Sequence, residues 1–196
     1  MSKILVVKTK ILFPDNIWEG FQEQSSGEIL KLIDKHKEYI ERPHVEDDES
    51  YQQIIPQIIL KVGKKIFLHK IPKTGSEGRL HDMWPIFLGG HVDDTDLGIW
   101  EAAEREFEEE LNYKGNVVKK EFLGIVKMHD TPVNRVHLGL VWLFEGDCED
   151  FEFTGDHGIS EGKFVSIREL NSYRDRMTYW SQTCVPYFLK KFVIED

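Results

Sequence analysis

Between Gly89 and Asn112 the chain reads GGHVDDTDLGIWEAAEREFEEELN: two glycines, an acidic loop, then a run of helix formers. Residues three and four apart on a helix share a face, so Glu106 lies on one face with Glu109 and Glu110, beside Arg105. Like charges at that spacing repel, and as bare structure the pattern is unfavourable. A hard divalent cation reverses the sign of that cost, because Mg²⁺ takes clustered carboxylate oxygens. The stretch predicts a metal site on a helix, with the rest of the chain as its scaffold. A solvated acidic face is the bland alternative, and the apolar run WPIFL (84–88) leading into the double glycine argues against it.

The 196 residues suffice for one domain with a sizeable core, and 40% hydrophobic with 12% aromatic residues exclude a disordered chain. A formal net charge of −10 speaks against a nucleic-acid polymer as partner. It leaves room for a small phosphorylated substrate, provided metal ions and a few local Lys or Arg side chains offset the repulsion. Cys148 and Cys184 stand in no metal-binding or redox spacing, which makes a reduced, cytoplasmic setting the default. The opening MSKILVVKTKILF is too short and too charged for a signal segment or a membrane span, so no membrane association is expected. For oligomeric state a homodimer is the default expectation.

Residues 4–8 read as a strand, and Ser25 or Ser26 could cap a helix running to about residue 40, through Tyr39 and Ile40. RPHVEDDES (42–50) reads as an acidic surface loop. Residues 1–50 form an N-terminal extension in this reading, and residues 51–196 the main domain. QIILKV and KIFLHK flank Gly63-Lys64 as a hairpin, and WPIFL is a short strand. After the acidic helix, 121–129 and 135–145 are strands joined at a turn with Pro132. FEF (151–153) and KFVSI (163–167) are shorter strands, and 180–192 is a helix kinked or started by Pro186. Hairpin-like strands with inserted helices predict an α+β fold, an α/β/α sandwich with a mixed sheet.

Gly90 followed by Arg105-Glu106-Phe107-Glu108-Glu109-Glu110-Leu111 resembles the Nudix box, and the flanking elements agree over roughly residues 52–192. QIIP (53–56) and GSEGRL (75–80) resemble a less-studied, phosphoesterase-like branch of that superfamily. The likeness departs from the family pattern in three places. Gly90 to Arg105 is one residue longer than usual; one of Asp93, Asp94 and Asp96 replaces the loop glutamate, with Asp96 the nearest fit or else a plain N-cap; and Asn112 replaces the closing glycine, tolerable because Asn enters the left-handed conformation readily.

The resemblance implies a Mg²⁺-dependent hydrolase, with Mn²⁺ as a substitute, that cleaves the diphosphate linkage of a small nucleoside-diphosphate-like metabolite. It implies metal ligands at Glu106, Glu109, Glu110 and the carbonyl of Gly90, with Glu106 or Glu109 doubling as general base. Arg105 would hold the carboxylates in place, and Glu161 is a candidate further ligand or base. His91 could reach a substrate phosphate or cap the loop, and Lys73 and Arg79 are candidate phosphate contacts. His137, mid-strand, reads as a satisfied sheet histidine. The competing function is a non-catalytic Nudix-like sensor or regulatory module, which the intact three-carboxylate set opposes.

Overall fold

The computed structural model describes residues 3–23, 27–71, 82–154, 159 and 161–194. Its elements begin with β1 (Lys3–Lys8), α1 (Thr9–Leu12), β2 (Gly20–Glu23), α2 (Glu28–His36), β3 (Glu38–Glu41), β4 (Tyr51–Val62) and β5 (Lys65–His69). They continue with α3 (Ile99–Glu110), β6 (Leu111–Tyr113), β7 (Val117–Lys127), α4 (Pro132–Arg135) and β8 (His137–Gly146). The last are β9 (Phe151–Phe153), β10 (Gly162–Ser166), α5 (Leu170–Tyr173) and α6 (Tyr179–Leu189). No described helix is long and apolar enough to cross a membrane. By internal contacts the chain forms two compact units: Met1–Gln57 with Gly89–Arg105 and Phe122–Trp142, and Ile58–Leu88 with Glu106–Glu121 and Leu143–Asp196.

In the first unit the strands stand in the order β4-β8-β7-β2, with β1 paired to β4 and β3 to β1. The β1 sequence KILVVK buries its four central residues and exposes both lysines, as a strand flanked on both faces should. It runs antiparallel to β4, with Val6 opposite Gln53 and Lys8 opposite Tyr51. Ile4, Val6 and Val45 cluster with Ile40 and Tyr51. β1 also frames the loop before α3: the Leu5 N–H donates to the Val92 carbonyl (2.8 Å), and the Asp94 N–H to the Lys3 carbonyl (2.9 Å). Helix α2 is shorter than its apolar stripe predicted, because Tyr39 and Ile40 pair in β3 with Leu5 and Ile4. Gly27, at φ 64°, occupies its N-cap; Ser25 and Ser26 lie outside the described residues.

In the second unit the far end of β4 turns at Gly63, whose φ of 54° suits a glycine, and pairs with β5 as the hairpin pattern predicted. β5 pairs in turn with β10 over five residues, from Gly162 opposite His69 to Ser166 opposite Lys65. The expected strand at 84–88 reduces to one bridge, Leu88 to Ile58. Its main-chain donors scatter instead of forming a ladder: Trp84 N–H goes to the Arg176 carbonyl, Ile86 N–H to Ser181 Oγ, and Pro85 has none. Pro186 lies inside α6 rather than in its first turn.

Candidate active site

Helix α3 begins after Gly98, whose carbonyl accepts the Ala102 N–H at 3.0 Å. Ala102, Ala103 and Phe107 are buried on its packing side, and Glu106 shares that shielding at 9% exposure. Glu109 and Glu110 are half-buried, whereas Glu101 and Glu108 stand in solvent. Glu104 is half-buried as well, so of the six acids on the helix only Glu106 is fully shielded. Withdrawing carboxylates from water is costly unless charge partners or a metal compensate. The donors are hard oxygens, which fit Mg²⁺ or Mn²⁺ by chemistry. Among the described residues no three His, Cys, Asp or Glu side chains are grouped so that they could hold an ion. The fit therefore rests on donor type and on the shielded face, not on a closed cage.

The helix ends without the expected turn. Among the described residues outside glycine only Asp82 has a positive φ, so Asn112 is not left-handed. It is extended in β6, opposite Glu152 of β9, and Thr154 Oγ1 caps the helix by donating to the Glu109 carbonyl at 2.5 Å.

The Asp96 carboxylate fastens the loop before the helix. Asp96 Oδ1 accepts from Arg105 Nε (2.8 Å), while Oδ2 accepts from Arg105 Nη2 (2.9 Å) and from the Asp93 N–H (2.8 Å). Asp96 therefore pairs with Arg105, and it is not the helix N-cap. Burial pushes its carboxyl upward, but the Arg105 and Asp93 hydrogen bonds and the Arg105 charge outweigh this and hold it below the ordinary value. Arg105 Nη2 also donates to the His91 carbonyl (3.0 Å), so one guanidinium ties both ends of the loop to α3 despite the additional residue. At Gly89, φ is 149° and a Cβ would stand 2.0 Å from the Pro56 carbonyl oxygen, so the first glycine is a steric requirement.

A set of buried polar residues extends from this loop: Gln53, for which the sequence suggested no site role; His137, the histidine expected to be satisfied within its strand; and Lys127, which the sequence reading did not single out. Gln53 is fully buried on β4; its Nε2 donates to the Val45 carbonyl (2.9 Å), and its Oε1 lies 2.8 Å from His91 Nε2. His137, at the start of β8, sets Nδ1 2.6 Å from the Val133 carbonyl and Nε2 3.4 Å from His91 Nε2. Burial first, and then the neighbouring His137, pushes His91 down to about 3; burial also lowers His137. Lys127, at 0% exposure, gives its three ammonium protons to the carbonyls of Asn134, Arg135 and His137 at 2.7, 2.8 and 2.9 Å. Gln52 Nε2 donates to the Arg135 carbonyl as well (3.0 Å). Burial pushes Lys127 down to about 7, against the pull of Glu49 and Glu19. The only sequence signal was polar residues inside otherwise apolar strands, QQ before IIP and the lysine closing FLGIVK.

Glu161 is more than half exposed and pairs with Lys70 (3.4 Å), whose N–H also donates to the Glu161 carbonyl (2.8 Å). Lys73 and Arg79 lie outside the described residues.

The match to known proteins follows the same stretch. The family model described as NUDIX domain matches residues 57–188, about two thirds of the chain. The chain belongs to the Nudix family. Nudix membership makes it a pyrophosphohydrolase by class, of the α+β, mixed-sheet fold expected from the sequence, and such hydrolases generally use divalent metal ions. It is similar to protein YmaB of Bacillus subtilis strain 168, at 27% identity over 184 residues, covering 86% of this chain and 87% of the relative. The crystal structure of Tm1382, classed with the Nudix hydrolases, superposes with a TM-score of 0.82 at 28% identity, covering 97% of this Nudix chain and all of that one. A bifunctional NMN adenylyltransferase/ADP ribose pyrophosphatase from Francisella tularensis, complexed with AMP and a Mn ion, shares the fold: TM-score 0.56, 18% identity, 71% of this chain and 42% of that one.

Proposed function

We propose that this Nudix protein hydrolyses the diphosphate linkage of a small nucleoside-diphosphate-like metabolite, with Mg²⁺ as its metal and Mn²⁺ as a substitute. The observation that carries the reading is Glu106, buried on α3 at 9% exposure, with Glu109 and Glu110 half-buried three and four residues on. Glu106, Glu109 and Glu110 would hold the metal. Bound there, it would lower the pKa of a coordinated water and neutralise charge on the phosphate oxygens. A carboxylate oxygen of Glu106 or Glu109 would take the proton of the attacking water. Arg105 contributes by fastening the loop through Asp96 and His91. Glu161, engaged with Lys70, is the secondary candidate for a base, and Lys73 and Arg79 are the proposed phosphate contacts.

The test is a substrate panel of nucleoside diphosphates, dinucleotide polyphosphates, nucleotide sugars and ADP-ribose, assayed with Mg²⁺, with Mn²⁺ and with chelator. Metal-dependent release of a phosphorylated product from at least one class is expected. Folded protein that binds a panel member and releases nothing with either metal would favour a sensor and overturn the reading.

A further inference from the structure

β1, α2, the start of α3 and β8 together line a cavity of about 230 Å³, and all of its lining belongs to the first unit. Its floor is Leu5 and Trp142, at 1% and 8% exposure; the Trp142 Nε1 is itself buried, so the floor presents carbon. Trp100 adds a wall, the two indoles packed edge to face with centroids 5.0 Å apart. Leu97 stands at the mouth, 91% exposed, where its side chain forfeits the stabilisation that burial would bring. The charged lining is Asp34 and Lys37, whose Nζ donates to Asp34 Oδ1 at 2.5 Å. Among the described residues neither side chain has another hydrogen-bond partner, which leaves Asp34 Oδ2 as an acceptor beside the remaining ammonium protons of Lys37. An exposed pair of this kind adds little to stability.

We infer that this cavity binds an adenine-type base, a flat ring system whose edge sets an amino donor beside a ring-nitrogen acceptor. The size suits one ring system, since pockets for whole drug-sized ligands run to about 300–1,000 Å³. Indole surface stacks on flat rings. The Asp34 acceptor beside the Lys37 donor answers the N6 amino group beside the ring nitrogen of adenine. An aliphatic ligand would cover the walls and leave that pair unanswered, and hypoxanthine puts a carbonyl where adenine has its amino group. Leu5, Asp34 and Lys37 precede residue 57, where the family match begins, so the N-terminal segment builds part of the site. The inference goes beyond the hydrolase reading and does not depend on it, because a base enters without metal or phosphate.

The experiment is NMR titration of the metal-free, full-length protein with adenosine and with inosine, following the indole signals of Trp100 and Trp142 and the amide of Gly98. Adenosine is expected to move all three, and inosine to bind about 10-fold more weakly. Asp34→Ala should bring adenosine down to the affinity of inosine. Leu97→Asp, at a position 91% exposed, should weaken adenosine about 10-fold and leave Tm unchanged. The inference is overturned by signals that move equally with both nucleosides, that move with neither, or that respond to adenosine in Leu97→Asp as they do in the wild type. Movement with cyclohexanol but not with adenosine marks a plain apolar groove and overturns it too. Kinetics identify the bearer of the base. A KM raised about 10-fold in Leu97→Asp for an adenine-bearing panel substrate makes the base the substrate's own, and an unchanged KM makes it that of a separate effector. Turnover without adenosine at these residues leaves the hydrolase reading standing and ends this one; adenosine binding without turnover does the reverse.

Discussion

The Asp96 clamp makes a quantitative prediction. In Asp96→Asn one oxygen can keep two of the three bonds, those at 2.8 Å from the Asp93 N–H and 2.9 Å from Arg105 Nη2. The bond from Arg105 Nε is lost, and the guanidinium loses the negative charge of Asp96 beside it. Hydrogen bonds to charged groups contribute about 1.5–3 kcal/mol, and breaking a buried ion pair costs about 3–5 kcal/mol. The Asp96 side chain is 6% exposed but that of Arg105 is 29% exposed, so water recovers part of the loss. The expected destabilisation is about 2–3 kcal/mol. Urea unfolding at neutral pH measures it, with an unchanged slope if the loop alone is affected. Arg105→Gln should cost a similar amount, and the double variant hardly more than either single one. The pH dependence has a definite sign. A carboxyl held below its unfolded value of about 3.9 adds stability above that pH and loses it as pH falls through the folded pKa. The gap between wild type and Asp96→Asn should therefore close in acid. Additive single-variant costs, or a change under about 0.5 kcal/mol, would refute the clamp.

Other perturbations follow from the same geometry. Glu109→Gln or Glu110→Gln should abolish product release in the panel assay while leaving the unfolding transition in place; full activity in both rejects the proposed metal face. Gly89→Ala forces a methyl against the Pro56 carbonyl at a positive φ and should cost more than about 3 kcal/mol, read as a fall in Tm or a failure to accumulate folded protein. For Lys127, a folded pKa near 7 below an unfolded value of about 10.4 means that the unfolded chain binds more protons between those limits. Wild-type stability should accordingly rise with pH across that window relative to Lys127→Met, and parallel pH profiles of the two proteins would show that the buried amine stays charged.

The sequence carried far into α3, where local rules suffice. Helix formers with Ala102, Ala103 and Phe107 at helical spacing specify a helix and its packing face without reference to anything distant. Asp96 was narrowed to one of three aspartates, because choosing among them required the path of a loop that only Arg105 and β1 define. Tyr39 and Ile40 fitted a helical stripe equally well; their pairing with Leu5 and Ile4 is long-range and leaves no mark in a local pattern. WPIFL had the apolar character of a strand but no partner ladder, since its donors go to Arg176 and Ser181. Gln53 shows the limit most clearly. Its side chain is spent on a carbonyl 8 residues away and a ring 38 residues away, and no periodicity announces either.

The backbone bonds between β1 and the loop have one more consequence. The family match begins at residue 57, yet two main-chain groups of the loop, at Val92 and Asp94, find their partners at Leu5 and Lys3. A fragment trimmed to the matched span would keep every motif side chain and lose the frame that shapes the loop carrying them. The loop is thus shaped in part by Lys3 and Leu5, residues more than eighty positions before it in the chain.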